Sequence, residues 1–176
     1  MKQIEFGGIT GKGKFFTVSD EDFARVSEYS WDLTWDTYER LTPQPRIRTW
    51  MIIDGKRVKV QLHRFLMGVT DPKVFVDHKD GNRFNNTREN LRLCSARQNA
   101  QNRAKRIDSS SAYKGVARKG KGWGAWITEE GTSVFLGAYP TAEAAAMAYD
   151  RKARQLYGEF AKVNFPEGRL DEMVHE

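Results

Sequence analysis

The sequence predicts an α+β protein built as two small units. Three observations carry that expectation. Short runs of mixed apolar and polar residues recur through the first sixty positions; a strand, long loop, strand, helix order follows between 74 and 106; and three strand-like runs precede an alanine-rich helix after 112. A hydrophobic fraction of 39% with 12% aromatic residues excludes a disordered chain. No apolar run approaches the roughly 18 residues of a membrane span, so no membrane partner is expected. A single Cys rules out an internal disulfide framework and suits a reducing, cytoplasmic compartment.

Residues 2–6 and 14–18 read as strands, and Ser19-Asp20-Glu21-Asp22 opens a short helix with an N-cap and an acidic first turn. Runs 46–53 and 57–62 flank Asp54-Gly55, a pair that favours a tight hairpin turn. Residues 62–67 form a turn or two of helix, ended by Gly68. An extended run, 73–76, leads into Asp77-His78. The next stretch, KDGNRFNNTREN, is loop chemistry, and 91–93 returns as a strand. Ser95 and Gln98 have capping-box spacing, so a helix is expected from about 96 to 106.

Asp108-Ser109-Ser110-Ser111 reads as a joint. Beyond it, 115–119, 123–129 and 133–138 read as three strands of one antiparallel sheet. Thr141 caps a helix that ends near Gly158, with Ala145, Ala148, Tyr149, Lys152, Ala153 and Leu156 as the stripe facing the sheet. The expected organisation is a first domain over 1–107 with its functional core at 74–106, a linker at 108–111, a second domain over 112–168 and a tail at 169–176.

The net charge of +6 is unevenly placed: residues 77–107 alone carry +5. Arg88, Arg92, Arg97, Arg103, Lys105 and Arg106 make up most of it. Such a stripe suits a polyanion, since neutralising phosphates releases counterions. A solvated helix face or a basic linker would give the same composition.

Beside that stripe lie residue types suited to phosphodiester hydrolysis, which needs a Lewis acid on the phosphate and a base for water. Asp77 offers a charged oxygen, Asn99 a neutral amide oxygen, and His78 a nitrogen that titrates near neutrality. Two oxygen ligands suit magnesium, with manganese a further possibility, rather than zinc. Asn90 is placed to brace the loop and orient the imidazole. His63 is expected to pack beneath the site rather than touch substrate, and Cys94 to be a small buried residue.

The stretch VDHKDGNRFNNTRENLRLCSARQNAQNR resembles the HNH motif of phage and intron-encoded homing endonucleases, in the variant with Asn at the third position. With Leu62-His63-Arg64 and the region before it, the resemblance extends over roughly 15–106. It implies a ββα-metal fold in which His78 is the general base, Asp77 and Asn99 are metal ligands, and Asn90 is the central Asn. It also implies a phage-encoded enzyme acting inside a bacterial host.

The cues YKGV, WGAW, FLGAYPTAEAAAMAYD and AKVNF resemble the Apetala-two/ethylene-response-factor DNA-binding domain over 112–166. That resemblance implies a three-stranded sheet laid against double-stranded DNA with a helix behind it. The residues so placed are Lys114, Arg118, Lys119, Lys121, Trp123 and Glu129, although Trp123 also suits core packing. Ala117, Ser133, Gly131 and Phe135 depart from the arginines and Trp of plant relatives, which implies a different sequence preference.

Together these readings predict a metal-dependent DNA endonuclease of homing type. Its C-terminal module targets the duplex, and Arg92, Arg97, Arg103, Lys105 and Arg106 grip its backbone. The alternatives are a regulator that binds DNA without cutting it and, less in keeping with a major-groove sheet, an RNA-directed protein. One centre per chain nicks one strand; a double-strand break needs a homodimer or two events, and the sequence leaves monomer or homodimer open.

Overall fold

The computed structural model describes residues 1–36, 44–103 and 110–166. The chain divides into two compact units, Met1–Asn99 and Ala100–Glu176. The expected joint at 108–111 lies partly outside the described residues, and the expected tail at 169–176 wholly so. Both units are of mixed α+β type, with small sheets and few helices. No helix among the described residues is long and apolar enough to cross a membrane.

In the first unit, β1 (Lys2–Glu5) leads through a single helical turn, α1 (Gly8–Gly11), to β2 (Phe15–Val18), which pairs antiparallel with β1. A 3₁₀ turn at Asp20–Asp22 runs into α2 (Phe23–Ser27). Ser19 does not cap that turn with its side chain. Its hydroxyl instead accepts the Arg88 backbone N–H at 2.9 Å, tying loop 79–90 to this corner. Next come β3 (Asp32–Asp36), β4 (Gln44–Ile53) and β5 (Lys56–Gln61), one antiparallel sheet. Asp54 (φ 49°) and Gly55 (φ 72°) form the predicted tight turn between β4 and β5, whose two positive φ values match the sheet's twist.

α3 (Leu62–Leu66) follows directly and stops at Gly68, whose φ of 64° ends the helix. β6 (Phe75–His78) and β8 (Leu91–Cys94) form an antiparallel pair, Asp77 opposite Arg92 and His78 opposite Leu91. The connection between them contains a two-residue strand, β7 (Asn85–Asn86), which pairs in parallel with β2 and was not foreseen. α4 (Ala96–Gln101) begins at a reciprocal capping box: Ser95 N–H donates to Gln98 Oε1 at 2.8 Å, and Gln98 N–H to Ser95 Oγ at 3.2 Å. The helix ends at Gln101, short of the expected 106; Lys105 and Arg106 lie outside the described residues. One core built on Phe16, Val18, Val26, Trp31, Leu33, Leu62 and Leu91 draws on all three sheets of this unit.

The second unit has β9 (Val116–Lys119), β10 (Gly122–Glu129) and β11 (Thr132–Tyr139) in an antiparallel sheet with β10 central. α5 (Ala142–Tyr157) packs its Ala145, Ala146, Tyr149 and Ala153 face into the core clusters that include Val116, Ala125 and Ile127. Thr141 Oγ1 accepts Ala144 N–H at 3.1 Å, the cap expected from sequence. Gly115 (φ 75°) sits where a Cβ would meet the Tyr149 ring at 2.0 Å, so the sheet can approach the helix this closely only with glycine there.

Asp150 is fully buried, and its carboxylate accepts Asn164 N–H, Asn164 Nδ2 and Phe165 N–H at 2.8–2.9 Å. Asn164 also bridges to Lys114, accepting its N–H at 2.7 Å and donating to its carbonyl at 3.1 Å. This network fastens the closing segment to the helix and to the start of the sheet. Asp150→Ala should lower the unfolding free energy of this unit by about 3 kcal/mol, because it strands buried donors. Asp150→Asn should lose less; urea denaturation of both variants checks the order.

Candidate active site

The site is assembled at the end of β6. Strand alternation would send successive side chains to opposite faces, yet Asp77, His78, Asn90 and Arg92 are all buried. His78 Nε2 lies 3.1 Å from Asn86 Oδ1. Asn86 is itself fully buried and donates through Nδ2 to the Arg83 carbonyl at 2.9 Å. Its amide nitrogen therefore faces away from the imidazole and its oxygen toward it. The imidazole must donate from Nε2, which puts the lone pair of the neutral ring on Nδ1.

Asn90 braces the loop. Its Nδ2 donates to Asp80 Oδ1 at 2.9 Å and to the Asn85 carbonyl at 2.7 Å, and its Oδ1 accepts Asp80 N–H at 3.1 Å. Its backbone carbonyl also accepts Lys79 N–H at 2.9 Å. The side chain that holds the imidazole is Asn86, whereas Asn90 closes the loop around it. Asp80 gathers this network, accepting further from Asn82 N–H at 2.7 Å and Asn85 Nδ2 at 2.9 Å. Burial alone would raise its pKa, but the hydrogen bonds from Asn85, Asn82 and Asn90 hold it below the ordinary carboxylate value. Asn86 and Asp80 were not singled out from sequence. A run of Asn and Asp in a Gly-containing loop looks like turn chemistry alone, and only the β7–β2 pairing reveals which amide points inward.

Asp77 forms a buried ion pair with Arg92, whose Nη2 and Nε both reach Oδ2, at 3.0 and 3.2 Å. Arg92, expected on the nucleic-acid side, thus turns inward onto the carboxylate beside the imidazole. Asn99 is half-buried on α4, with its backbone N–H bonded to the Ser95 carbonyl at 3.0 Å. Among the described residues, no three His, Cys, Asp or Glu side chains gather as a metal-ligand group. His63, on α3, stands edge-to-face with His78, with ring centroids 5.4 Å apart.

Both imidazoles are held below their ordinary pKa. Burial is the main cause for His78, opposed by the Asn86 hydrogen bond. Burial also dominates for His63, joined by His78 and the charges of Arg83, Arg64 and Arg46, which push it down to about 3. Cys94 is buried, and burial raises its thiol to about 11, so it stays protonated and unreactive.

The remaining expected residues are distributed more loosely. Arg97 and Arg103 are exposed on and just after α4. Lys114 donates its Nζ to the Gln101 carbonyl at 2.6 Å, and burial with the nearby Lys162 lowers its ammonium to about 8. Trp123 is half-buried against the core, with the Arg118 guanidinium 4.3 Å above its ring. Lys119 lies 4.0 Å over Phe135, which in turn packs on Trp126 at 5.2 Å. Lys121 is exposed in the β9–β10 turn, and Glu129 is half-buried at the end of β10.

The imidazole with its assigned tautomer and the carboxylate next to it are carried on one strand–loop–strand–helix frame. The comparisons specify it further. The family model described as HNH endonuclease matches residues 67–101. An uncharacterised HNH endonuclease of Acanthamoeba polyphaga mimivirus is 34% identical over 88% of this chain and 76% of its own length. The chain belongs to the HNH endonuclease family.

The C-terminal region is similar to a different group. Dehydration-responsive element-binding protein 2A of Oryza sativa subsp. indica is 42% identical over 36% of this chain, and an AP2/ERF and B3 domain-containing protein of Oryza sativa subsp. japonica is 50% identical over 32%. The chain spans only 24% and 16% of those two proteins.

The imidazole shifts set the acid sensitivity of the first unit. Each His binds its proton more readily in the unfolded chain, so stability is complete above about pH 6.5 and falls as the pH drops toward about 3 for His63. Asp22 and Asp80, with lowered pKa values, add losses as the pH falls through and below 3.8. Thermal melting between pH 7 and 4 should show a falling midpoint. His63→Gln should make that fall shallower.

Proposed function

We propose that this protein is a metal-dependent DNA endonuclease in which His78 is the general base and Asp77 and Asn99 hold one divalent cation. The observation that carries the reading is the Asn86–His78 hydrogen bond beside the Asp77 carboxylate, inside the segment that matches the family. A neutral imidazole with its lone pair on Nδ1 can take a proton from an attacking water near neutral pH. Asn86 keeps the ring in that tautomer, and Asn90 keeps the loop that carries Asn86 closed around it.

The donor set fits a hard cation: one carboxylate oxygen and one amide oxygen suit magnesium, or manganese, with water and phosphate completing the shell. Arg92 orients the Asp77 carboxylate by binding one of its oxygens. Bound there, the cation would supply Lewis-acid stabilisation of charge on the scissile phosphate. In this reading β6, β8 and α4 are the parts of a ββα-metal layout.

The C-terminal unit is the targeting module in this reading. Relatives of that region are named for binding a response element, and Arg118, Lys119 and Lys121 are its exposed cations on β9 and the following turn. A three-stranded sheet presenting such residues suits the major groove. Arg97 and Arg103, with Lys105 and Arg106, would hold the phosphate backbone. Pairing a cutting unit with a targeting unit favours homing-type cleavage at preferred sites inside a host cell. A single centre per chain makes the elementary product a nick.

Magnesium should convert supercoiled plasmid to the relaxed form, and a chelator should stop it. His78→Ala should reduce nicking by at least about 100-fold, since a positioned base is typically worth that much. Its binding to duplex in chelator should stay within a few-fold of the unsubstituted protein. Equal cleavage by His78→Ala removes the general-base assignment. Binding by the unsubstituted protein without cleavage in magnesium or manganese favours a DNA-binding regulator.

A further inference from the structure

We propose that the outward face of the β3–β4–β5 sheet is a second contact surface for duplex DNA, gripping phosphates through Arg57 and Lys59 around Trp50, with the half-buried Arg48 adding its charge beside them. The inference rests on the DNA-cutting reading above. It concerns a surface of the first unit that neither the HNH motif nor the C-terminal module includes.

Residues opposite one another in an antiparallel ladder share a face. Leu33, Ile47 and Thr49 occupy the buried side. The alternate positions on β4, Arg46, Arg48 and Trp50, therefore turn outward, with Lys59 opposite Trp50 and both Asp32 and Gln61 opposite Arg48. Trp50 is 44% exposed, and its ring carries the Arg57 guanidinium at 4.6 Å and the Lys59 ammonium at 5.0 Å. An indole left in water is costly to a free surface unless something covers it. Here it fixes two flexible cations side by side.

Charge complementarity points to the occupant. Asp32 is the one carboxylate among the described side chains of this face, and it lies at the β3 edge. Arg57 and Lys59 meet no carboxylate among the described residues, and Arg48 Nε is buried without a hydrogen-bond partner. Elsewhere in this unit Arg25 and Arg88 are paired with Asp22, and Arg92 with Asp77. A face where cations are left without carboxylate partners, pre-ordered on an aromatic ring, suits a repeating row of phosphates. Such contacts position a duplex without reading its sequence.

The test uses the full chain in chelator and a fluorescein-labelled 30-base-pair duplex of random sequence, with binding followed by anisotropy from 50 to 200 mM salt. Each phosphate contact adds about 0.9 to the slope of log affinity against log salt. Arg57→Gln with Lys59→Gln should lower that slope by about two, so that over this range the double variant loses about tenfold less affinity than the unsubstituted protein. Arg57→Lys should keep the slope. The melting temperature of the double variant should be unchanged; if it falls, Lys59→Gln alone should still lower the slope by about one. Hydroxyl-radical footprinting should show a shorter protected stretch with the double variant.

An unchanged slope and footprint in a variant that melts normally overturns the inference. Plasmid nicking run beside it separates the two readings. A protein that nicks, while the variants bind as it does, loses only the second surface. A protein that neither binds nor nicks loses the DNA-cutting reading and this inference with it.

Discussion

Asp80 is the point on which loop 79–90 closes. One carboxylate accepts from the backbone of Asn82 and from the side chains of Asn85 and Asn90, so a single negative charge orders three neighbouring amides. Hydrogen bonds to an ionised acceptor are stronger than neutral ones, and here they stand in for an apolar core. The loop contributes little to the core besides Phe84, which packs on the main cluster. Once the loop is closed, Asn85 and Asn86 can pair with Thr17 and Val18 of β2, and that pairing sets the Asn86 oxygen against His78. The setting of the imidazole therefore depends on Asp80, which orders the loop and whose charge also acts on the ring, raising its pKa against burial.

A second constraint is electrostatic. Residues 77–107 hold most of the chain's excess positive charge, yet part of it is used inward. Arg88 clamps the fully buried Asp22, which also accepts Arg25 Nε at 2.8 Å, and Arg92 clamps Asp77. Buried ion pairs are weak contributors to net stability because both partners lose water. Their value here is geometric: Arg88 anchors the far end of the loop to α2, and Arg92 orients the carboxylate beside the imidazole. Counting charges along the chain overstates what faces solvent, since partner identity is set by three-dimensional register.

What could be read from the sequence was local. The Asp54-Gly55 turn, the Ser95–Gln98 box, the Thr141 cap and the span of α5 each follow from a few neighbouring residues, and the structure shows each of them. Asp77, His78 and Asn90 stood out because their spacing matches a chemical need and a family pattern, and they do converge at one strand end. Features set by distant partners were not readable. β7 is two residues long and pairs with a strand 68 positions earlier; β3 and α1 lack a distinctive pattern; Ser19 has an N-cap's identity but serves Arg88. Asn86 looked like one more loop amide because its role comes from β7.

The second unit shows how such a fold can keep its shape while its outer surface changes. Asp150 falls between Tyr149 and Ala153 on α5 and is the buried acceptor for Asn164 and Phe165. Through Asn164 it also holds Lys114, so helix, closing segment and first strand are fastened behind the sheet. Ala117, Gly131, Ser133 and Phe135, the positions expected from the resemblance to differ from plant domains, take no part in that network. Phe135 instead packs with Trp126 and Lys119. Ala117 and Ser133 can therefore change without loosening that network, whereas Gly131 (φ 84°) is fixed by the backbone of its turn and Phe135 by its packing on Trp126.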